Sequence, residues 1–219
     1  MKHKVLSLFN TLFNAKPLLW LFLAIPAWPL LCDFIKPDLY YPEMMYRTGL
    51  LATQLFVFTL CITPISQLLK KFKKARGLNR WLLTRRRNFG VASFAYAFIH
   101  TMLYLRETTD LDILWREMKT IEIGFGWLAI VFMLPIAFTS NDASMRKLGK
   151  HWKTLQRGVY LLAIAIFVHW LTLGLFIEQG IPLLQILLFA KAMQLGFRLL
   201  RNKRFNLFWF RKSNSLSED

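Results

Sequence analysis

Apolar residues along this chain gather into six stretches, at roughly 17–35, 48–69, 88–105, 123–141, 157–177 and 180–200. A bilayer core is about 30 Å thick and a helix rises about 1.5 Å per residue, so about twenty apolar residues make one crossing. The pattern predicts an all-α integral membrane protein, a six-helix transmembrane bundle over 17–200, flanked by tails at 1–16 and 201–219. No long period repeats, which excludes a solenoid. Pro26 and Pro29 in the first stretch, Pro64 in the second and Pro135 in the fourth are read as bends. Neighbouring membrane helices satisfy the carbonyls that proline frees.

The polar positions between these stretches set an orientation, because basic residues accumulate in cytoplasmic connections. Segment 70–87, KKFKKARGLNRWLLTRRR, holds nine basic residues and no acidic one. Segment 142–157 carries Arg146, Lys147, Lys150, Lys153 and Arg157 against Asp142, and the C-terminal tail adds Arg198, Arg201, Lys203, Arg204, Arg211 and Lys212. By contrast 33–47 mixes Asp33, Asp38 and Glu43 with Lys36 and Arg47, and 106–122 carries Glu107, Asp110, Asp112, Glu117 and Glu122. Six crossings with both termini cytoplasmic satisfy every connection. Within 106–122, Leu111, Leu114, Trp115 and Met118 fall at helical spacing and predict a short amphipathic helix, an interfacial anchor or a docking surface.

Composition supports this class. The 219 residues are 55% hydrophobic, with 20 Phe and 8 Trp. A net charge of +17 would suit nucleic acid, but confinement of the basic residues to blocks between apolar runs argues against that partner and for membrane lipid. Cys32 and Cys61 follow no metal or redox spacing and are expected as buried packing residues. The basic start MKHKVLSLFNTLFNAK lacks a cleavage site at signal-peptide distance and is expected to be a cytoplasmic tail.

Four histidines remain, of which His3 and His151 sit in polar segments. His100 and His169 each stand about twelve residues, roughly 18 Å, from the cytoplasmic end of their stretches, at one depth and toward the outer face. Ionisable groups at that depth mark functional sites and need a partner. Two neutral imidazoles can hold a haem iron from opposite sides, with Phe94, Tyr96, Phe98, Tyr104 and Trp170 as flat neighbours. Interhelical hydrogen bonding or a proton relay is the other reading, as in a small transporter or scaffold, although the internal repeats common in transporters are not visible. No nucleophile or general acid–base pair is evident, which suits an electron-transfer subunit rather than a catalytic one if the pair holds haem.

Several motifs resemble a known family. Thr59-Leu-Cys-Ile-Thr-Pro64, the basic entry Thr84-Arg-Arg-Arg87 with Gly90 ahead of Phe-Ile-His100, Ala137-Phe-Thr-Ser140, Arg146-Lys-Leu-Gly-Lys150, Trp152, Leu155, Val159-Tyr160 and His169 are similar to MsrQ (YedZ) within the ferric reductase-like transmembrane superfamily. The resemblance covers roughly 48–175. It implies a bacterial inner-membrane b-type cytochrome with haem b held by His100 and His169. Electrons would come from the quinone pool or a cytoplasmic flavin reductase. They would go to a periplasmic molybdopterin subunit that reduces methionine sulfoxide in oxidised proteins. FMN is associated with the family, but no flavin-binding stretch is readable here. A related ferric reductase-like or quinone-linked cytochrome with another acceptor is the alternative.

One departure concerns a second haem. The family usually carries a histidine thirteen residues before the His169 position, and here that position is Gln156, a poor haem ligand. His151 is a candidate substitute. Arg86 and Arg87 are candidates for haem propionates or a flavin phosphate, or else for orientation and anionic lipid contact.

Overall fold

All regular structure among the described residues is helical. The computed structural model describes residues 16–34, 41–174 and 177–215, so the expectations for residues 1–15 and His3 lie outside the described residues. The first expected span is not one helix. It is α1 (Lys16–Ala24) and α2 (Ala27–Phe34), separated by a turn at Ile25 and Pro26. Proline lacks an N–H and disfavours helical geometry in the residue before it, so Pro26 interrupts the helix instead of bending it. Pro64 and Pro135 do stay inside helices, α3 (Tyr41–Leu69) and α6 (Ile121–Phe138).

The basic stretch expected as a connection between the second and third spans is largely helical. After a 3-10 turn at Lys73–Ala75, α4 runs unbroken over Arg76–Glu107 and takes in both the arginines and His100. The short amphipathic helix is α5 (Leu111–Glu117). Its N-cap Asp110 accepts from the amides of Asp112 at 2.8 Å and Ile113 at 3.4 Å, satisfying donors that the first turn leaves open. Leu111 and Trp115 are exposed on it. The connection 142–157 forms α7 (Asp142–Leu148) and α8 (Lys150–Arg157). They are joined at Gly149, whose φ of +51° a side chain would resist. Then come α9 (Val159–Thr172) and α10 (Ile177–Ser215), the latter absorbing 201–215, which the sequence reading assigned to a tail.

Among the described residues four helical stretches are long and apolar enough to cross a membrane: Tyr41–Leu69, Ile121–Phe138, Lys150–Thr172 and Gly180–Leu199. Of the expected six, 17–35 is divided. The 88–105 stretch shares its helix with the arginines and carries Asn88 and His100.

Five helices close a ring. α3 packs along α4, α4 touches α6, α6 packs along α9, α9 touches α10, and α10 returns to α3. α4 and α9, which carry the two histidines, are therefore not neighbours in the ring. The core joins Phe56, Leu60 and Cys61 of α3 to Ala129 and Met133 of α6, Leu162 and Ala165 of α9, and Leu187 and Ala190 of α10. Small residues here let the backbones approach, which matters in lipid because apolar burial alone gives helices little reason to associate. Ser93 of α4 is fully buried and donates to the Ala52 carbonyl of α3 at 2.8 Å, fixing that pair. α1 lies outside the ring, with Leu19 and Leu23 against Ile62, Leu82 and Phe89.

The outer faces are apolar, with Val131, Ile164, Ile186 and Phe189 all exposed. Patches of this kind need cover that water cannot give, in keeping with a membrane protein. Cys61 is in the core as expected. Cys32 is exposed on α2, a correction to the expectation that both thiols are buried: among the described residues Leu30 is the side chain that α2 buries, and Cys32, two residues on, falls on the opposite side of the helix.

Candidate functional site

The ring's interior brings His100 and His169 together. Their ring centroids are 6.3 Å apart and their planes cross at 78°. His100 lies on the side of α4 that packs along α3, where Ser93 and Leu103 are also buried and Ser93 donates to the Ala52 carbonyl. His169 shares the inner face of α9 with Leu162 and Ala165, both 1% exposed.

Each imidazole is anchored in the same way. His100 Nδ1 lies 2.8 Å from the Met45 carbonyl of α3, and His169 Nδ1 lies 2.5 Å from the Glu122 carbonyl of α6. A carbonyl can only accept, so both Nδ1 atoms carry the proton and donate. In each case the residue four positions beyond the accepting carbonyl is glycine. A Cβ on Gly49 would stand 3.1 Å from His100 Nδ1, and one on Gly126 would stand 2.9 Å from His169 Cε1. Helical side chains lean toward the N-terminus and cover the preceding turn, so only glycine there leaves the carbonyl open to a ring from the next helix.

This arrangement narrows the chemistry. With Nδ1–H committed to backbone, a neutral imidazole keeps only the Nε2 lone pair, and two acceptors cannot hydrogen-bond to each other. A bridging donor such as water, an added proton or a shared Lewis acid would each satisfy them, and of these a charged imidazolium is costly at this depth. A metal–imidazole bond is about 2 Å, so two axial imidazoles on one metal have ring centres about 6 Å apart, which the pair matches. A carbonyl on the outer ring nitrogen is also the usual way proteins fix the orientation of a metal-binding histidine. The residues therefore fit axial ligation of a haem.

The expected aromatic walls divide. Phe94 packs against the core, 6.1 Å from Phe98 and 5.9 Å from Phe138 between ring centroids. Trp170 is buried, 6.3 Å from Tyr46. Tyr104 donates to Glu117 Oε2 at 2.6 Å and tilts toward Trp127. Tyr96 instead donates to the Leu23 carbonyl at 2.8 Å, which turns it outward toward α1, and Phe98 is 46% exposed. The sequence reading did not single out Met45, Gly49, Glu122 or Gly126.

The remaining candidates occupy the other end of the bundle. Arg86 Nε donates to the Thr59 carbonyl at 3.2 Å. Arg87 pairs with Asp142 and ties α4 to α7. His151 is exposed on α8. The Gln156 amide donates to the Ile136 carbonyl at 3.1 Å and approaches Thr139 Oγ1 at 3.3 Å, while Trp152 Nε1 donates to the Thr139 carbonyl at 2.9 Å. Gln156 thus closes the C-terminus of α6, where the last carbonyls lack helical donors. Gln156→Leu should lower stability by about 1 kcal/mol in a thermal melt. It should leave any absorption that depends on His100 and His169 unchanged.

The Arg87 guanidinium beside Asp142 holds its carboxyl below the usual carboxylate range. The contribution of such a depressed group is present above the unfolded value, about 3.9, and is lost as pH falls through the folded value. Melting temperatures of the wild type and Asp142→Asn should therefore differ slightly near neutrality and converge in acid. The pair is exposed, so the difference is small.

Residues 48–167 match the family model described as the ferric reductase like transmembrane component. The chain belongs to this family. The ferric reductase-like chain is also 35% identical over 167 residues to the protein-methionine-sulfoxide reductase heme-binding subunit MsrQ of Azospira oryzae, a match covering 74% of this chain. The match spans 66% of that relative's length, just under two thirds. No solved structure matches. Gly49, His100, Glu122 and Gly126 lie within the matched residues 48–167, and Met45 and His169 lie just outside them.

Proposed function

We propose that this ferric reductase-like chain is the haem-carrying membrane subunit of a methionine-sulfoxide repair system. It takes electrons from the quinone pool or a cytoplasmic flavin reductase and passes them outward to a periplasmic molybdopterin reductase. The observation that carries this reading is the pair of anchored imidazoles, His100 and His169, and the similarity to a heme-binding subunit supports it. Haem b supplies one-electron chemistry at its iron. The chain's own residues do the rest. His100 and His169 present their Nε2 lone pairs, and the Met45 and Glu122 carbonyls fix both rings and raise their basicity. The closed ring of helices keeps water away. In this reading 88–105 crosses the bilayer along with the four longest apolar stretches, and α1 with α2 makes the sixth crossing. The basic ends then face the cytoplasm of a bacterial inner membrane, and the histidine pair sits nearer the periplasm.

The resemblance leaves room for FMN, for which no residue set is proposed, and for Arg86 or Arg87 near an anionic group. Gln156 is committed to α6, which favours one haem over two. That departure also supports the second reading, a ferric reductase-like or quinone-linked cytochrome with another acceptor. Purified chain, reduced and mixed with a periplasmic molybdopterin reductase from the same cell, should be reoxidised only when a methionine-sulfoxide peptide is present. Reoxidation that ignores that pair and follows ferric chelates or quinone would favour the second reading. A preparation with no reduced-minus-oxidised b-type spectrum would overturn both.

A further inference from the structure

At the end of the bundle away from the histidines, the end of α3 and the second half of α10 form an open groove of about 220 Å³ lined by Gln67, Lys70, Phe197 and Arg198. Among the described residues no carboxylate lines it. Lys71 adds a further cation, its Nζ 4.5 Å from the Phe197 ring centroid. The amide oxygen of Gln67 is buried without a hydrogen-bond partner. Deeper on the same side, Lys191 shares a face of α10 with Arg198, seven residues or about 10 Å along the helix. Its Nζ sits 5.1 Å from the Tyr160 ring centroid and approaches the Leu60 carbonyl at 3.5 Å. Pro64 has no N–H, so that carbonyl lacks its helical donor and is free to face a cation. Arg86 Nε donates to the adjacent Thr59 carbonyl. Among the described residues none of Lys70, Lys191, Arg86 and Arg198 is in an ion pair.

Cations gathered at the rim of an apolar bundle, two of them partly buried, favour an anion that can meet several at once. We propose that this groove binds a phosphate ester, presented as an anionic lipid headgroup or by a free phosphate compound. Lys70 and Arg198 take the phosphate oxygens. Gln67 offers its oxygen to a neighbouring hydroxyl or, turned over, its NH2 to the phosphate. Phe197 covers the carbon side of the ester. Lys191 and Arg86 add positive potential from below. The proposal goes beyond the cytochrome reading and does not depend on it.

The test uses the full-length chain in detergent, given phosphatidylglycerol, phosphatidylcholine or inorganic phosphate, with bound lipid counted by native mass spectrometry and stability followed by melting. Phosphatidylglycerol should bind at least about tenfold more tightly than phosphatidylcholine. Lys70→Gln combined with Arg198→Gln should remove that preference. Gln67→Leu, which changes no charge, should weaken it and so separates a built site from general surface charge. Protection by inorganic phosphate without a lipid preference would assign the groove to a free phosphate compound. Equal binding of both lipids with no phosphate effect, or a preference unchanged in the variants, overturns the proposal. Absence of haem from the same preparations would count against the cytochrome reading alone.

Discussion

His169→Ala should abolish the b-type reduced-minus-oxidised spectrum expected of the proposed cytochrome, and His100→Ala should do the same. Each substitution removes one of two imidazoles whose ring centres lie 6.3 Å apart, and the one further histidine among the described residues, His151, is exposed on α8. Loss of an outer partner to a metal-binding histidine costs roughly 10- to 100-fold in affinity, and loss of the ligand itself costs more. The fold should survive. The Glu122 and Met45 carbonyls lie within helices, and the α3–α4 contact is held by Ser93 and the apolar core. Circular dichroism should stay helical while haem per chain falls to background. Added imidazole should restore part of the spectrum in the alanine variants. A structural role for the histidines predicts the opposite, loss of helix content with no rescue.

Gly126→Val produces a comparable loss without touching a ligand. A Cβ at that position would lie 2.9 Å from His169 Cε1 and 3.0 Å from Nδ1, closer than side-chain carbons approach, and valine adds two further methyl groups. The backbone of α6 accepts valine, so the imidazole is what must move. It then loses the Glu122 carbonyl that holds Nδ1–H and aims Nε2. Haem affinity should fall roughly 10- to 100-fold, the cost of losing an outer partner. Gly49→Val should act in parallel on His100, where the approach is 3.1 Å. Gly77→Ala, with nothing within 4 Å of the added carbon, should keep full haem content. If all three variants behave alike, the glycines are not what seats the imidazoles.

The pairing of His100 and His169 was legible because it depends on arithmetic along helices. Equal distances from basic ends place two side chains at one depth, whatever the details of packing. Their anchors were not legible. Met45 and Glu122 are 55 and 47 residues away from the histidines they hold, and they act through backbone carbonyls, which leave no mark on residue type. Gly49 and Gly126 do leave a mark, but a glycine in an apolar helix has many uses, and only the neighbouring helix shows which applies. The break at Pro26 was misread for a related reason. Whether a proline bends or divides a membrane helix depends on which neighbours meet the freed groups, and α1 packs outside the ring where few do. Segment 70–87 looked like a connection because its charge was counted. Its helical course follows from Arg86 finding the Thr59 carbonyl and Arg87 finding Asp142.

The most direct test is the haem content of the purified wild-type chain, measured together with its low-temperature absorption and paramagnetic resonance spectra. One haem b per chain, low-spin with two imidazole ligands and lost in the His100→Ala, His169→Ala double variant, is the predicted result. A chain without haem, or one whose low-spin signal persists in that double variant, would contradict it.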